Sequence, residues 1–559
     1  MIKIYIAVAL TVIMVAFHNC VPGSSGSSSN ATGAGGNGGT VIPQCQYTSN
    51  PAPVLEGIFS DAAFTAPAST ISYRIGMGGD AGTEGTRTLY LKANSGDGIS
   101  NVISVNCNGG NGLNTNCDVS NGTLRVRINA DQDAECMTGS TTVRITVSDS
   151  VNGAGCTALA ATSNQLNLTV NFANGCYPQT RLNPPTPFAS GQMGANVAID
   201  GNWAVSATPG DEAGGIDAGA AHVFQLNGNV WSNFQRIVPS SLASGSQLGA
   251  VAISGNTMVL GANLYANAVG RVWVYTFNGS SWVLTAELNS PSPTVGEKFG
   301  TAVAISNGVV AVGAPRNSVS GAQSGAVYLF SGASYATVQT VYPQVVGSET
   351  LVQGEFGSSV ALESGTLIVG APFPNSATVR GEAVYIYRQS GAFAFAQKII
   401  NTDGGGSKRF GTAVSLSGNR LIIGAPFYSS QNNSEVGRAY VYTRASAAVN
   451  YGATFGMLNP GDAGLKDHFG QSVFINANNA FVGAPDKTFD QLAKVGAVYM
   501  YNSAGTQTFK IRSRRADREN DSFGQSIAVG NGWLISGAFN DEHDINFLNS
   551  GSVYMVDIP

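Results

Sequence analysis

The sequence predicts an all-β chain: a seven-bladed β-propeller over residues 177–559, preceded by a small disulfide-containing β-sandwich, immunoglobulin-like, over residues 43–176. Three observations carry this reading. A unit of roughly 55 residues recurs seven times in the C-terminal two-thirds. Short runs of alternating apolar and polar residues, separated by Gly, Asn and Asp, fill the stretch before it. Composition suits strands and turns: there are 71 glycines, and charged residues make up only 11%, against ~25% in an average soluble domain. The formal net charge of −5 also excludes the basic face a nucleic-acid binder needs to displace phosphate counterions.

The chain opens with an export signal over residues 1–19. Lys3 supplies a positive start, and residues 4–17, IYIAVALTVIMVAF, form an uninterrupted apolar run. A bilayer span needs ~20 such residues, so the run is the length of a signal core, not of an anchor. Residues 20–42 follow as Cys20 and a Ser/Gly/Asn-rich tether that has too few apolar side chains to bury a core. A signal that ends at a cysteine before a polar tether resembles a bacterial lipoprotein. The resemblance implies a diacylated Cys20 and a membrane partner reached through that lipid. Phe17, His18 and Asn19 depart from the family's pattern of Leu followed by small residues. A plain secreted protein is the alternative. With Val21 in place of an inner-membrane retention Asp, the lipoprotein reading implies the outer membrane or cell surface.

Cysteine usage agrees with export. Removing Cys20 from the seven leaves Cys45, Cys107, Cys117, Cys136, Cys156 and Cys176, all ahead of the repeats. Six cysteines in an oxidising compartment predict up to three disulfides, with connectivity open. There is no C-x-x-C pair and no His between 43 and 176, so metal ligation is disfavoured. Within this segment TRTLYLKA, NVISVNC, GTLRVRIN, TTVRITVSD and NQLNLTVNF read as half-buried antiparallel strands. Five or more of them in about 130 residues fit a β-sandwich.

The repeats begin near Gly194, Gly249, Gly300, Gly357, Gly411, Gly470 and Gly524. Each of these glycines follows Met193, Leu248, Phe299, Phe356, Phe410, Phe469 or Phe523. A short strand comes first (TAVAI in the third unit), then a tight turn such as SGN or SNG. A nearly all-apolar second strand follows (VVAVGAP, LIVGAP, LIIGAP), then a longer loop. A third strand carries Gly-x-x-Tyr, as in GAVYLF and GAVYMY, and a more polar fourth strand leads to the next unit. Four strands make one small sheet that cannot cover both its faces alone, and seven packed radially can.

Phe-Gly followed by Gly-Ala-Pro and Gly-x-x-Tyr, in constant order over about 370 residues, resembles the FG-GAP repeat of integrin α-subunit propellers and many bacterial surface proteins. Units 1 and 2 depart from it, with Met193 and Leu248 for Phe and SAT and GAN for GAP. The resemblance implies a propeller used in adhesion. Its calcium-binding version is not expected here. Ca²⁺ takes about six to eight oxygen ligands, whereas the turn between strands one and two offers one carboxylate at most, Asp200 or Glu363. No metal and no cofactor is predicted. The last unit ends after its third strand, and YPQTRLNPP at 177–185 resembles the fourth strands FQRIVP and AELNSP. Residues 177–185 are therefore expected to complete blade 7 from the other end of the chain.

The long loops between strands two and three, with those joining blades, are expected to form the recognition face. Candidates are Asp211, Glu212 and Asp217 in blade 1; Tyr265 in blade 2; Arg316 in blade 3; Phe373 in blade 4; Phe427 and Tyr428 in blade 5; Asp486 and Asp490 in blade 6; and Asp541, Glu542, His543 and Asp544 in blade 7. Catalysis has no motif: there are four histidines, no G-x-S-x-G and no H-E-x-x-H. The leading expectation is a non-enzymatic surface module for an extracellular protein or glycan. A polysaccharide hydrolase or lyase on the loop face is one alternative, and a structural envelope protein is another.

Overall fold

The computed structural model describes residues 179–344, 353–373, 382–403, 407–430, 434–452, 455–489, 492–513, 519–542 and 548–558, together with the strand backbones between 54 and 172. The signal segment, Cys20, the tether, Cys45, Cys136, Cys156, Cys176, Asp490, His543 and Asp544 lie outside the described residues, as do the side chains of Cys107 and Cys117. The chain divides into two compact units, with the boundary along the sequence between residues 176 and 177.

The first unit forms two sheets. In order across the first lie Val54–Phe59, Arg87–Asn94, Thr123–Ala130 and Leu113–Ser120. Across the second lie Thr70–Tyr73, Leu166–Phe172, Gly139–Val151 and Val102–Asn108, with Leu159–Thr162 also paired to Gly139–Val151. The pairing is antiparallel except between Thr70–Tyr73 and Leu166–Phe172, which run parallel.

The second unit is seven four-stranded antiparallel sheets. Blade 1 comprises Asn196–Asp200, Trp203–Thr208, Ala220–Asn227 and Val230–Ile237. Blades 2 to 6 occupy 248–288, 302–341, 359–400, 414–458 and 472–511. Blade 7 takes three strands from the C-terminal end, Phe523–Gly530, Trp533–Ala538 and Ser552–Asp557. Its fourth is Gln179–Leu182, which pairs antiparallel with Val553–Val556. The seven first strands neighbour one another in a closed circuit and so surround the axis.

The second strands are buried almost throughout, as in Leu367, Ile368 and Val369, because a neighbouring blade covers each side. Adjacent blades share their cores. Phe299 packs among Val259, Val272 and Val274 of blade 2 and Val310 and Val312 of its own blade. Met193 and Leu248, which replace Phe in units 1 and 2, are equally buried. The motif glycines form the seam. Gly470 has φ +96°, and its carbonyl oxygen stands 2.0 Å from where a Cβ on Gly424 would lie. Gly-Ala-Pro therefore needs its glycine because the next blade's Phe-Gly backbone occupies the space a side chain would fill. In blade 1 the register puts Ala207 at this position, so Ala207-Thr208-Pro209, and not SAT as the sequence suggests, matches Gly-Ala-Pro; Gly249 across that seam has no positive φ. The first strand of blade 2 instead starts at Leu248 with a bulge before Ala250.

The short hairpins close by two residues in six blades, as at Asp200↔Trp203 and Ser306↔Val309. Gly201, Gly255 and Gly418 have positive φ at the first central position alone; Asn307-Gly308, Ser364-Gly365 and Asn531-Gly532 have it at both. These are the requirements of type II′ and type I′ turns. The two turn carboxylates are used between blades: Asp200 Oδ2 accepts the Gly255 N–H at 2.6 Å, and Glu363 Oε2 accepts the Gly418 N–H at 2.7 Å.

Candidate functional site

On the opposite face the long loops are tied together by backbone. At the seam between blades 3 and 4, the N–H groups of Gln353, Glu355 and Phe356 donate to the carbonyls of Ala322, Gln323 and Ser324. Equivalent ladders join blades 1 to 2, 2 to 3, 5 to 6, 6 to 7 and 7 to 1. Among the described residues the seam between blades 4 and 5 has no such ladder. Glu382 stands where the other third strands have their seam glycine. Its carboxylate accepts the N–H groups of Lys408 (2.7 Å), Arg409 (3.0 Å) and Phe410 (3.2 Å) and the Ser407 hydroxyl (2.7 Å). At Gly270 and Gly551 a Cβ would meet the carbonyl of the next blade's Phe299 or Met193 at 1.8 and 2.2 Å. A side chain at 382 therefore parts the strands, and its carboxylate spans the gap.

Beneath the loops, blades 3, 5, 6 and 7 carry a polar node built on the third-strand tyrosine. Tyr440 and Tyr499 donate to Asp403 (2.9 Å) and Asp462 (2.8 Å), and Tyr554 donates to Asp541 (2.9 Å). In blade 3 the node is Asn317, whose amide donates to Glu297 and to the Tyr328 hydroxyl. Burial pushes that hydroxyl up to about 12, so it stays a neutral hydrogen-bonding group.

Two predicted recognition residues belong to such nodes, which corrects the sequence reading. Asp211 is buried, paired with Arg236 and 3.5 Å from His222, which takes the tyrosine's place in blade 1. Burial pushes its carboxyl up, but bonds from His222, the Ala213 amide and Arg236 outweigh this and hold it below the usual range. Asp541 is buried against Arg181 of the closing strand (2.7 Å). Both carboxylates anchor a fourth strand from within and do not reach the surface. FQRI lies two strands beyond Asp211, and QTRL lies at the other end of the chain from Asp541, so neither loop acid has a local pattern that reveals its partner. In blade 6 the polarity is reversed: Lys487 occupies the acid's position and meets Asp462 and Asp467, each at 3.2 Å.

The other candidates divide. Glu212 and Asp217 are exposed. Tyr265 packs edge-on to Trp273 with Arg271 over its face, so it supports the loop. Arg316 pairs with Glu355 across the seam at 3.1 Å. Glu542 is half-buried, and its carbonyl accepts an Arg181 N–H at 2.9 Å.

Phe373, Phe427 and Asp486 come together, through two residues that the candidate set lacks. The Arg409 guanidinium lies over Phe427 (4.2 Å) and Phe373 (5.1 Å). Phe427 also meets the His468 ring at 4.8 Å. Asp486 Oδ2 is 2.5 Å from His468 Nδ1, and Glu435 Oε2 lies 3.6 Å from Nε2. Tyr428 sits beside this group under Arg438, at 3.7 Å. Arg409 and His468 each directly precede an FG phenylalanine and have φ of +54° and +53°. Their position, held by the turn into the first strand, is the signal that could have found them. Among the described residues no three His, Cys, Asp or Glu side chains converge as a metal site.

A family model described as the FG-GAP repeat matches residues 282–330 and 393–442. Each match starts in the fourth strand of one blade and ends in the third strand of the next. The sequence repeat is thus offset by one strand from the blade, and ring closure by Gln179–Leu182 follows from the offset. The chain contains FG-GAP repeats and folds as a seven-bladed propeller. No curated protein matches the sequence. Among solved structures, the beta-propeller domain of the Trilobed protease from Pyrococcus furiosus, described as having an open velcro topology, is similar at 11% identity and a TM-score of 0.40. The match covers 66% of this chain and 96% of that one.

Proposed function

We propose that the chain is an exported, lipid-anchored surface protein whose propeller is a non-catalytic module that binds an extracellular protein or glycan with its long-loop face. The observation that carries this is the difference between the two faces. The hairpin face uses its polar side chains between blades, as Asp200, Glu363 and Arg420 do. The loop face displays the half-buried group of Phe373, Arg409, Phe427 and His468 across three blades. Rigid blades with side chains gathered at loop bases are a common platform for recognition. A hydrolase or lyase is less well supported. Asp486 takes His468 Nδ1 at 2.5 Å, and Nε2 is buried, with Glu435 3.6 Å away, so neither nitrogen is placed to move a substrate proton.

The propeller would be held from the outer membrane by the tether and by residues 43–176, read as an immunoglobulin-like sandwich with disulfides among its six cysteines. The mature full chain, screened against arrayed extracellular proteins and glycans and assayed for polysaccharide depolymerisation, tests the function. A ligand without turnover supports binding; turnover without a ligand overturns it in favour of the enzyme. Palmitate-analogue labelling of wild type and Cys20→Ser tests the anchor, and equal labelling refutes it. Alkylation with and without reductant counts the disulfides.

A further inference from the structure

Four of the described arginines on the loop face have acidic partners. Arg181 meets Asp541, Arg236 meets Asp211, Arg316 meets Glu355 and Arg438 meets Asp403. Arg409 does not: among the described residues no carboxylate or carbonyl takes a hydrogen bond from its guanidinium. The sequence stretches 374–381, 404–406 and 431–433 contain no Asp or Glu. Its central carbon nevertheless lies over two rings, Phe373 at 5.1 Å and Phe427 at 4.2 Å. Phe427 is backed in turn by His468, which Asp486 holds. Phe373, Arg409, Phe427 and His468 thus form one contiguous group across blades 4, 5 and 6.

The backbone beneath is fixed as well. Glu382 binds the amides of Lys408, Arg409 and Phe410, so its carboxylate sets the backbone at Arg409. A guanidinium carries five N–H donors in a rigid plane. The two ring contacts hold the cationic group without taking up those donors. The edge that remains matches a carboxylate, which accepts two parallel N–H bonds, and the ordering is complete before a ligand arrives.

We propose that Arg409 is the anchor point for a carboxylate of an acidic peptide segment of the partner. This deepens the binding-module reading and rests on it. A peptide is favoured over an acidic sugar because sugar rings dock on open aromatic faces, and Phe427 has Arg409 on one side and His468 against its ring. Val319 and Leu465, exposed on loops of the same face, add the apolar contacts that a peptide chain uses.

The test uses the full chain against immobilised peptides bearing Asp, Glu, Asn or Gln at a central position in a fixed frame, with uronate-containing and neutral oligosaccharides alongside. Wild type is expected to prefer the acidic peptides over their amide isosteres by about tenfold or more. Arg409→Gln should abolish that preference. Arg409→Lys should lose most of it, because lysine keeps the charge but neither stacks nor forks. Lys298→Gln removes one charge from the corresponding position before the FG phenylalanine of blade 3 and should bind like wild type. Unfolding temperatures of all three variants accompany the affinities, and the lysine variant carries the test if the glutamine variant unfolds. Retained preference in Arg409→Gln overturns the inference. So does binding to uronate glycans alone. Neutral ligands that bind wild type and Arg409→Gln equally would remove the inference and leave the binding-module reading intact; no binding to any probe would remove both.

Discussion

Replacing Arg181 with Ala should loosen the ring at its closure and leave the other blades in place. Arg181 lies on the four-residue strand that completes blade 7. Its Nε donates to Asp541 Oδ2 (2.8 Å) and to the Ser552 hydroxyl (3.0 Å), while Nη2 meets Asp541 Oδ1 (2.7 Å) and the Glu542 carbonyl (2.9 Å). The Asp541 side chain is 1% exposed and that of Arg181 is 16% exposed. Removing the cation leaves a buried carboxylate with the Tyr554 hydroxyl as its remaining side-chain donor. Breaking a buried pair costs ~3–5 kcal/mol, and the partial exposure of the arginine places this case near 3 kcal/mol. Spread over the whole propeller, that would shift the unfolding temperature by only about 4 °C. Local opening of the closing strand reads it more sharply: at 1.36 kcal/mol per tenfold change, amides at 179–182 and 553–556 should exchange about a hundredfold faster. Amides of blade 3 should be unaffected. Arg181→Gln with Asp541→Asn should recover part of the loss, because the buried charge is removed with its partner. Exchange at 179–182 unchanged by Arg181→Ala would refute the reasoning.

Three further outcomes follow from the seams and nodes. Gly424→Ala, which puts a methyl 2.0 Å from the Gly470 carbonyl oxygen, should cost about 1–3 kcal/mol or more in chemical denaturation, whereas Gly456→Ala, with open space around its Cβ, should stay within about 0.5 kcal/mol. Glu382→Ala leaves the amides of Lys408, Arg409 and Phe410 without their acceptor and should cost about 2 kcal/mol or more, with faster exchange at 407–411 as the readout. In blade 6, burial pushes the Asp462 carboxyl up, but Lys510 and Lys487 outweigh it and hold it below the usual range; a depressed carboxylate contributes stability that is present above its unfolded value, near pH 4, and is lost as pH falls through its folded value. An acid titration of near-ultraviolet circular dichroism should therefore show wild type losing stability below about pH 4, with a shallower slope in Asp462→Asn.

The blade architecture was legible because its causes are local and repeated. Gly-Ala-Pro and Gly-x-x-Tyr recur because each blade meets its neighbour through the same backbone contacts, and the two-residue turns SGN and SNG declare their hairpins. Closure was legible too, since QTRL in front of the first unit repeats the fourth-strand pattern QRIV. The site was legible only in part. Phe373, Phe427 and Asp486 were found because aromatic and charged side chains in long loops stand out in an uncharged sequence. Arg409 and His468 were passed over because they sit directly before FG, where the packing of the following Phe explains the segment. Asp211 and Asp541 were misread because a loop carboxylate gives no sign, within its own loop, of an arginine on a fourth strand that turns inward to meet it. The recurring glutamine of FQRI, VQTV and AQKI was a readable signal left unused. Gln235, Gln339 and Gln397 each bond the backbone of the next blade, at Trp282, Phe393 and Tyr451.

Recognition across the loop bases of blades 4 to 6 is tested most directly by amide exchange of the full chain with and without a ligand recovered from the binding screen. The account predicts protection at 407–411, 425–430 and 466–471, and none at the hairpins around Gly201, Gly418 and Asn476. Protection confined to the hairpin face, or to blades 1 and 2, would contradict it.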